Sequence, residues 1–275
     1  RRAKLDIYDE FMDRDNATRI KYASKHAQVS NYWKYFIGQQ RGLKRLKVYD
    51  KKQTQEAELM AWVNADATRK AKYANILTDL DNGYKERSKF EKANVYMQEG
   101  AFGSEAIVLG FRLYGLKMQL ANDPKDATKV AAAVARAQAA ADELWKDYVP
   151  AIDQKVTAQM FRMMHSDVER DLQPGVMATV EKKFKGNFDA WSAALFKTSI
   201  LTDRARLNAF LAKPTLKAMD KDLGFQAAES CLNHYRSFLA PALAAGDEDL
   251  ARGYRLMVSA MREKDPAKSW YPNAN

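Results

Sequence analysis

Almost every stretch of this chain repeats its apolar residues at steps of three and four. No stretch alternates apolar and polar residues over the length of a strand. A period near 3.6 buries one stripe of a helix, whereas a period of two buries one face of a strand, so this pattern alone decides the class of fold. VAAAVARAQAAADELWKDY sets Val130, Val134, Ala137, Ala141, Trp145 and Tyr148 on one stripe, and Leu250, Tyr254, Met257 and Met261 follow the same rule. Residues 56–66 and 153–172 behave likewise. The expected class is all-α: roughly ten helices in one compact domain over residues 1–275, with no sheet.

The punctuation between the stripes agrees. Asp123-Pro124 reads as an N-cap followed by proline at the first helical position, where the missing N–H costs nothing. Val149-Pro150 reads as a second proline start, and Gly246-Asp247 as the stop of one helix and the start of the next. Asp50-Lys-Lys-Gln53 resembles a capping box ahead of Leu59 and Trp62. Further breaks are expected at Asp81-Asn82-Gly83, Gly100 to Gly103, Gln173-Pro174-Gly175, Gly186-Asn187, Pro214 and Pro241. No repeat of fixed period is present, so a solenoid is not supported.

With 275 residues, 47% of them apolar, the chain is long enough to bury a core. Its longest apolar runs, such as AAAVA at 131–135, fall far short of the roughly 20 residues of a membrane span. Arg1 at the start and SWYPNAN at the finish read as the ends of a segment cut from a longer protein, so missing targeting signals say little. The single cysteine, Cys231, lies in an apolar helical stretch and is expected in the core. The net charge of +10 comes from 45 basic residues interspersed with 35 acidic ones. Its densest run is KRLKVYDKK at 44–52, read here as a solvated helical surface, with a dedicated anionic partner as the lesser reading.

Little in the sequence carries catalysis. There are three histidines, His26, His165 and His234, and no Gly-x-Ser-x-Gly elbow. Gly103-Ser104-Glu105 reads as a glycine break with Ser104 capping the helix through Ile107 and Phe111. His165 and Glu169 share a helix face as two metal ligands would, but the rest of a metal site is missing, and a surface pair is the better reading. Met160, Met163 and Met164 read as core. No phosphate-cradling loop, dinucleotide fingerprint or nucleic-acid-binding signature occurs, so no cofactor and no metal are expected.

KYASKHAQVSNYWKYFIG at 21–38 is different, because it places a polar amide, Asn31, among Tyr32, Trp33, Tyr35 and Phe36. Asn31 extends a stripe of small residues through Ala23 and Ala27, which lets another backbone approach. Either the amide bonds a neighbouring loop and fixes packing, or it faces a cleft and bonds a ligand. The surrounding aromatics are expected mostly in core or hinge packing.

IKYASKHAQVSNYWKYFIG with the following GLKRLKV resembles the start of the helical domain of the bacterial serine dipeptidyl peptidases typified by dipeptidyl peptidase 7 and dipeptidyl peptidase 11. The closing WYPNAN is similar to that family's Tyr-Pro-Asp-Ala-Asn stretch, with Asn273 in place of the aspartate. The two matches bracket the chain. The resemblance implies a chymotrypsin-like double β-barrel with a His-Asp-Ser triad and a helical domain inserted as a cap over the cleft. These enzymes release dipeptides from free peptide N-termini. The family's Gly-Asn-Ser-Gly-Ser-Pro stretch is missing here, so no catalytic residue is assigned, and the chain alone is expected to be inactive.

The same resemblance makes Asn31 the candidate substrate-binding residue, one of several groups holding the peptide's amino terminus. It implies a peptide substrate and the flanking barrel domain as partners. It also implies a periplasmic, cell-surface or secreted location in a Gram-negative bacterium, and is compatible with a homodimeric parent. P1 specificity would belong to the barrel half. The alternative reading is a basic helical binding module for nucleic acid or a protein partner, and a purely structural helical domain is a third.

Overall fold

The computed structural model describes residues 1–270, and among these no residue is in a strand. The chain runs through α1 (Arg2–Met12), α2 (Asn16–Arg45), α3 (Val48–Asn64), α4 (Ala67–Tyr73), α5 (Ile76–Glu99) and α6 (Glu105–Arg112). It continues through α7 (Tyr114–Asn122), α8 (Ala127–Trp145), α9 (Pro150–Asp167), α10 (Val176–Phe184) and α11 (Phe188–Thr198). The last helices are α12 (Arg204–Ala212), α13 (Leu216–Lys221), α14 (Leu223–His234), α15 (Ala240–Ala244) and α16 (Asp247–Lys264). The all-α class is as expected. The WYPNAN motif lies outside the described residues beyond Trp270.

These helices form two compact units. One takes Arg1–Trp33 and Lys92–Ala240, and the other takes Lys34–Glu91 with the described residues from Pro241 onward. In the first unit α9 is the central element. It packs on α11 and α1, while α6 packs on α14 and α8 on α7 and α12. Trp191 and Phe161, both at most 1% exposed, meet at 4.9 Å between ring centroids where α11 crosses α9. Met160 and Met164 are buried with them, as is Cys231 on α14. The buried line of α8 is Ala133, Ala137 and Ala141, with Val130 and Val134 only half-buried beside it. Small residues therefore face its neighbours, which lets α8 approach closely.

In the second unit Leu59, Val63, Tyr73, Ile76 and Ala260 form the core. Arg252 clamps the buried carboxylate of Asp79 through two bonds of 2.8 Å, and the Tyr73 hydroxyl donates to Glu263 at 2.7 Å. That clamp holds the Asp79 carboxyl below the usual range.

Several helix ends are where the punctuation puts them. Pro150 opens α9, Gly246 precedes α16, and Asn187 caps α11 by accepting from the Ala190 N–H at 2.9 Å. Four expectations need correcting. Asp123-Pro124 does not start α8; Asp123 closes α7, and Asp126 caps α8 by accepting the Lys129 N–H at 2.9 Å. Asp50 is not a cap, because α3 begins two residues earlier, after Lys47 in the left-handed region at φ 49°. Asp81-Asn82-Gly83 breaks nothing and lies inside α5. Pro241 lies inside α15, directly after a π-turn over Tyr235–Leu239. The wider turn shifts the carbonyl that a proline ring would strike in a regular helix.

Candidate functional site

A short turn after Met12 folds α1 back against the first half of α2. The pairing is antiparallel: Tyr8 meets Tyr22 edge-to-face at 5.2 Å, and Asp9 bonds His26 at 2.9 Å. Further along, the Arg1 guanidinium lies over the Tyr32 ring at 5.0 Å and that of Arg2 over Trp33 at 5.6 Å. Residues 22, 26, 29 and 33 thus form the face of α2 turned to the first unit, with Tyr22 fully buried and Val29 packed on the same cluster.

Asn31 falls off that face. Its stripe of Ala23, Ala27 and Asn31 is exposed, and its amide has no partner among the described residues. Tyr32, Tyr35 and Phe36 are also more than half exposed, so they are not core as the composition implied. Arg1 is itself fixed by Glu99, whose Oε2 accepts from Nε at 2.8 Å and whose carboxyl is held low by that bond. Tyr32, exposed, and Trp33, half-buried, each lie under a guanidinium from the start of the chain.

One turn and more before Asn31, α2 covers a polar network. The Tyr22 hydroxyl donates to Glu105 at 2.6 Å. Lys25 bridges Glu105 at 2.5 Å and Asp147 at 3.0 Å. Below them Asp153, 2% exposed, accepts the backbone N–H groups of Glu105 at 2.9 Å and Ala106 at 2.8 Å, and the Tyr148 hydroxyl at 3.0 Å. A carboxylate from α9 thus satisfies the first turn of α6. Burial, and then the negative charge of Glu105, push the Asp153 carboxyl up to about 6. A cavity of about 260 Å³ opens beside Glu105, Arg112, Glu143 and Asp147. Sequence reasoning missed this network because its partners lie far apart in the chain, 80 residues in the case of Lys25 and Glu105.

Nothing in these groups assembles a nucleophile with a base. Ser104 is fully buried; it caps α6 toward the Ile107 N–H and accepts from the Thr157 hydroxyl at 2.8 Å. His165 bonds Glu181 at 2.8 Å, while Glu169 pairs with Lys92 at 3.2 Å, so the two do not form a metal pair. No cluster able to hold a metal ion occurs among the described residues. His234 bonds the Leu172 carbonyl oxygen at 3.0 Å, and burial lowers its pKa. Burial pushes the Cys231 thiol well above its usual range. Cys231 is therefore expected to resist a thiol-exchange reagent until the chain unfolds. Labelling of the native protein much faster than unfolding would show instead that α14 opens locally.

The fold and the exposed Asn31 can be set beside known proteins. The chain is 32% identical over 277 residues to dipeptidyl-peptidase 7 of Porphyromonas gingivalis, covering 99% of this chain and 37% of that protein. It is 30% identical to an Asp/Glu-specific dipeptidyl-peptidase of Flavobacterium psychrophilum, covering all of this chain and 38% of the relative. The chain therefore spans little more than a third of the length of the curated relatives it matches. Crystallised Porphyromonas endodontalis DPP11 in complex with the dipeptide Arg-Glu shares its fold, with a TM-score of 0.80 at 20% identity over 95% of this chain and 37% of that one. The model of the peptidase S46 family matches residues 1–275. A helical architecture shared over nearly its whole length, and a family match from its first residue to its last, mean that this chain belongs to the peptidase S46 family.

Proposed function

We propose that the chain is the helical part of a serine-type dipeptidyl aminopeptidase, and that it caps the active-site cleft and supplies Asn31 to the pocket for the substrate's free amino terminus. The observation that carries this reading is the state of Asn31. It is a polar amide in mid-helix, exposed, unpartnered among the described residues, and followed directly by Tyr32 and Trp33, over whose rings the Arg1 and Arg2 guanidiniums lie.

The chemistry suits the task. An ammonium group has three donors and no acceptor, so an amide oxygen can take one of its N–H bonds. A charge drawn out of water needs several such acceptors, and one asparagine would serve beside groups of the barrel half. A cap over the cleft would stop a long peptide from sliding through and would exclude water around the bound end, which strengthens those bonds. On this reading the triad and P1 specificity belong to the flanking barrel domain, and the whole enzyme is periplasmic or secreted.

The test is kinetic, in the full-length protein that carries this chain. Asn31→Ala is expected to lower kcat/KM for a dipeptidyl substrate with a free amino terminus roughly ten- to hundredfold, the worth of one hydrogen bond to a charged group. The loss should appear in KM at least as much as in kcat. It should vanish when the substrate's amino group is acetylated. The unfolding temperature should not move, because the side chain is exposed and makes no hydrogen bond among the described residues. Wild-type kinetics in the variant would make Asn31 a surface residue without a role in binding.

A further inference from the structure

Residues 34–52 hold seven cations and one acid, Asp50, a net of +6 out of the chain's +10. The cations are Lys34, Arg41, Lys44, Arg45, Lys47, Lys51 and Lys52, and every one is exposed. None of them makes an ion pair among the described residues, whereas cations elsewhere in the chain are paired repeatedly, as in Lys117 with Asp220 and Glu229. Leu43, Leu46 and Tyr49 stand exposed among them, at 52%, 59% and 73%.

Helix stability does not account for this corner. Lys44 and Arg45 end α2, where positive charge is favoured, but Lys51 and Lys52 follow directly on the first turn of α3, where it opposes the helix dipole. Between the two helices, Lys47 occupies a left-handed conformation at φ 49°, which a glycine would adopt without strain. Two exposed leucines and an exposed tyrosine, interspersed with cations that make no ion pair among the described residues, match the makeup of a peripheral membrane contact. Apolar tips enter the headgroup layer while lysine and arginine stay among the phosphates. An acidic protein groove would have to match the positions of both the cations and the three apolar side chains. A bilayer surface needs only negative charge and a penetrable interface.

We infer that the α2–α3 corner binds anionic phospholipid surfaces, with Leu43, Leu46 and Tyr49 inserting and the surrounding lysines and arginines contacting the headgroups. The inserting residues lie 12 or more positions after Asn31 in the sequence, and the proposal does not depend on the peptidase reading.

The experiment is sedimentation of the full-length protein with vesicles of phosphatidylglycerol and phosphatidylcholine, and with vesicles of phosphatidylcholine alone. Binding is expected to the anionic vesicles, to be weak on neutral ones, and to fall steeply between 0.05 and 0.5 M salt, as the screening length shortens from about 14 Å to about 4 Å. Replacing Lys44, Arg45, Lys51 and Lys52 with glutamine should weaken binding roughly several hundredfold, since each cation near such a surface is worth roughly fivefold. Leu46→Ser with Tyr49→Ser should weaken it tenfold or more at constant charge. Dipeptidyl hydrolysis and the unfolding temperature of the same variants are expected to be unchanged, which separates this proposal from the peptidase one. Absence of wild-type binding to anionic vesicles overturns the proposal. So does equal binding by the glutamine variant, or preferential binding to duplex DNA at the same salt. Loss of stability in the glutamine variant would also overturn it, by making the corner a contact with another part of the full-length protein.

Discussion

Replacing Asp153 by alanine is expected to destabilise the first unit by about 3–5 kcal/mol at pH 5 and by less at pH 7.5. The carboxylate accepts two backbone N–H groups at the start of α6 and the hydroxyl of Tyr148, all in a position 2% exposed. Alanine leaves three buried donors without acceptors and opens a small void among them. Each orphaned donor costs about 1–3 kcal/mol, and the total falls toward the lower end because a water can enter a polar vacancy and satisfy part of the set.

The pH dependence follows from the raised carboxyl. Burial lifts Asp153 to about 6 in the folded chain against a value of 3.8 for an ordinary aspartate. A group that holds its proton more tightly when folded stabilises the fold fully below the unfolded value. That contribution is lost as pH rises through the folded value. The stability that wild type has over Asp153→Ala should therefore shrink by roughly 1–2 kcal/mol between pH 5 and 7.5, after all other titrations cancel in the difference. Asp153→Asn keeps one acceptor and turns an amide N–H toward backbone donors, so it should fall between wild type and alanine. Urea denaturation at the two pH values measures all three chains. A difference under 1 kcal/mol at both would show that the α6 terminus is satisfied by other means.

Asp153 also marks where the sequence stops being legible. Its place in the first turn of α9 invites the reading of an acid complementing its own helix dipole. The structure uses it on another helix, and no spacing rule reports a contact made between residues 153 and 105. Local rules did better where both partners lie within one turn, as at Ser104, Asn187 and Pro150. They failed at Asp50, where a left-handed Lys47 starts the helix early, and at Asp123, where Asp126 was the better-placed cap. Asn31 was legible as an anomaly, a polar amide on a stripe of small residues. Its choice between packing and exposure was not legible, because that depends on which face of α2 the aromatic Tyr22 anchors. The same anchor turns Tyr32 off the buried face although its composition reads as core.

Gly83 and Gly246 carry the second large effect. Taken from the sequence, Asp81-Asn82-Gly83 is a helix break, and in the structure it is the middle of α5. Alanine in place of a mid-helix glycine ordinarily gains about 1 kcal/mol. At Gly83 a Cβ would stand 2.6 Å from Leu250 Cγ and 2.8 Å from the Gly246 carbonyl oxygen. The leucine can rotate, but the backbone oxygen cannot, so Gly83→Ala is expected to be destabilising by about 1–2 kcal/mol despite its propensity. Gly246→Ala should cost more, about 3 kcal/mol, because its Cβ would meet only backbone, the Gly83 oxygen at 2.4 Å. Its own backbone, at φ −86°, is open to any residue, so the loss would come from the contact alone. Gly38 and Gly42 on α2 are the controls. Beyond the chain neighbours and the helix's own backbone, no atom of the described residues lies within 4 Å of a Cβ at either, and alanine there is expected to stabilise by up to about 1 kcal/mol. The double variant at 83 and 246 settles the cause. Once one alanine has pushed α5 away from the start of α16, the second meets a gap already opened, so the pair should cost less than the sum of the singles by about 1 kcal/mol or more. Additive losses in chemical denaturation would place the two glycines' importance in their own backbones rather than in the close approach between them.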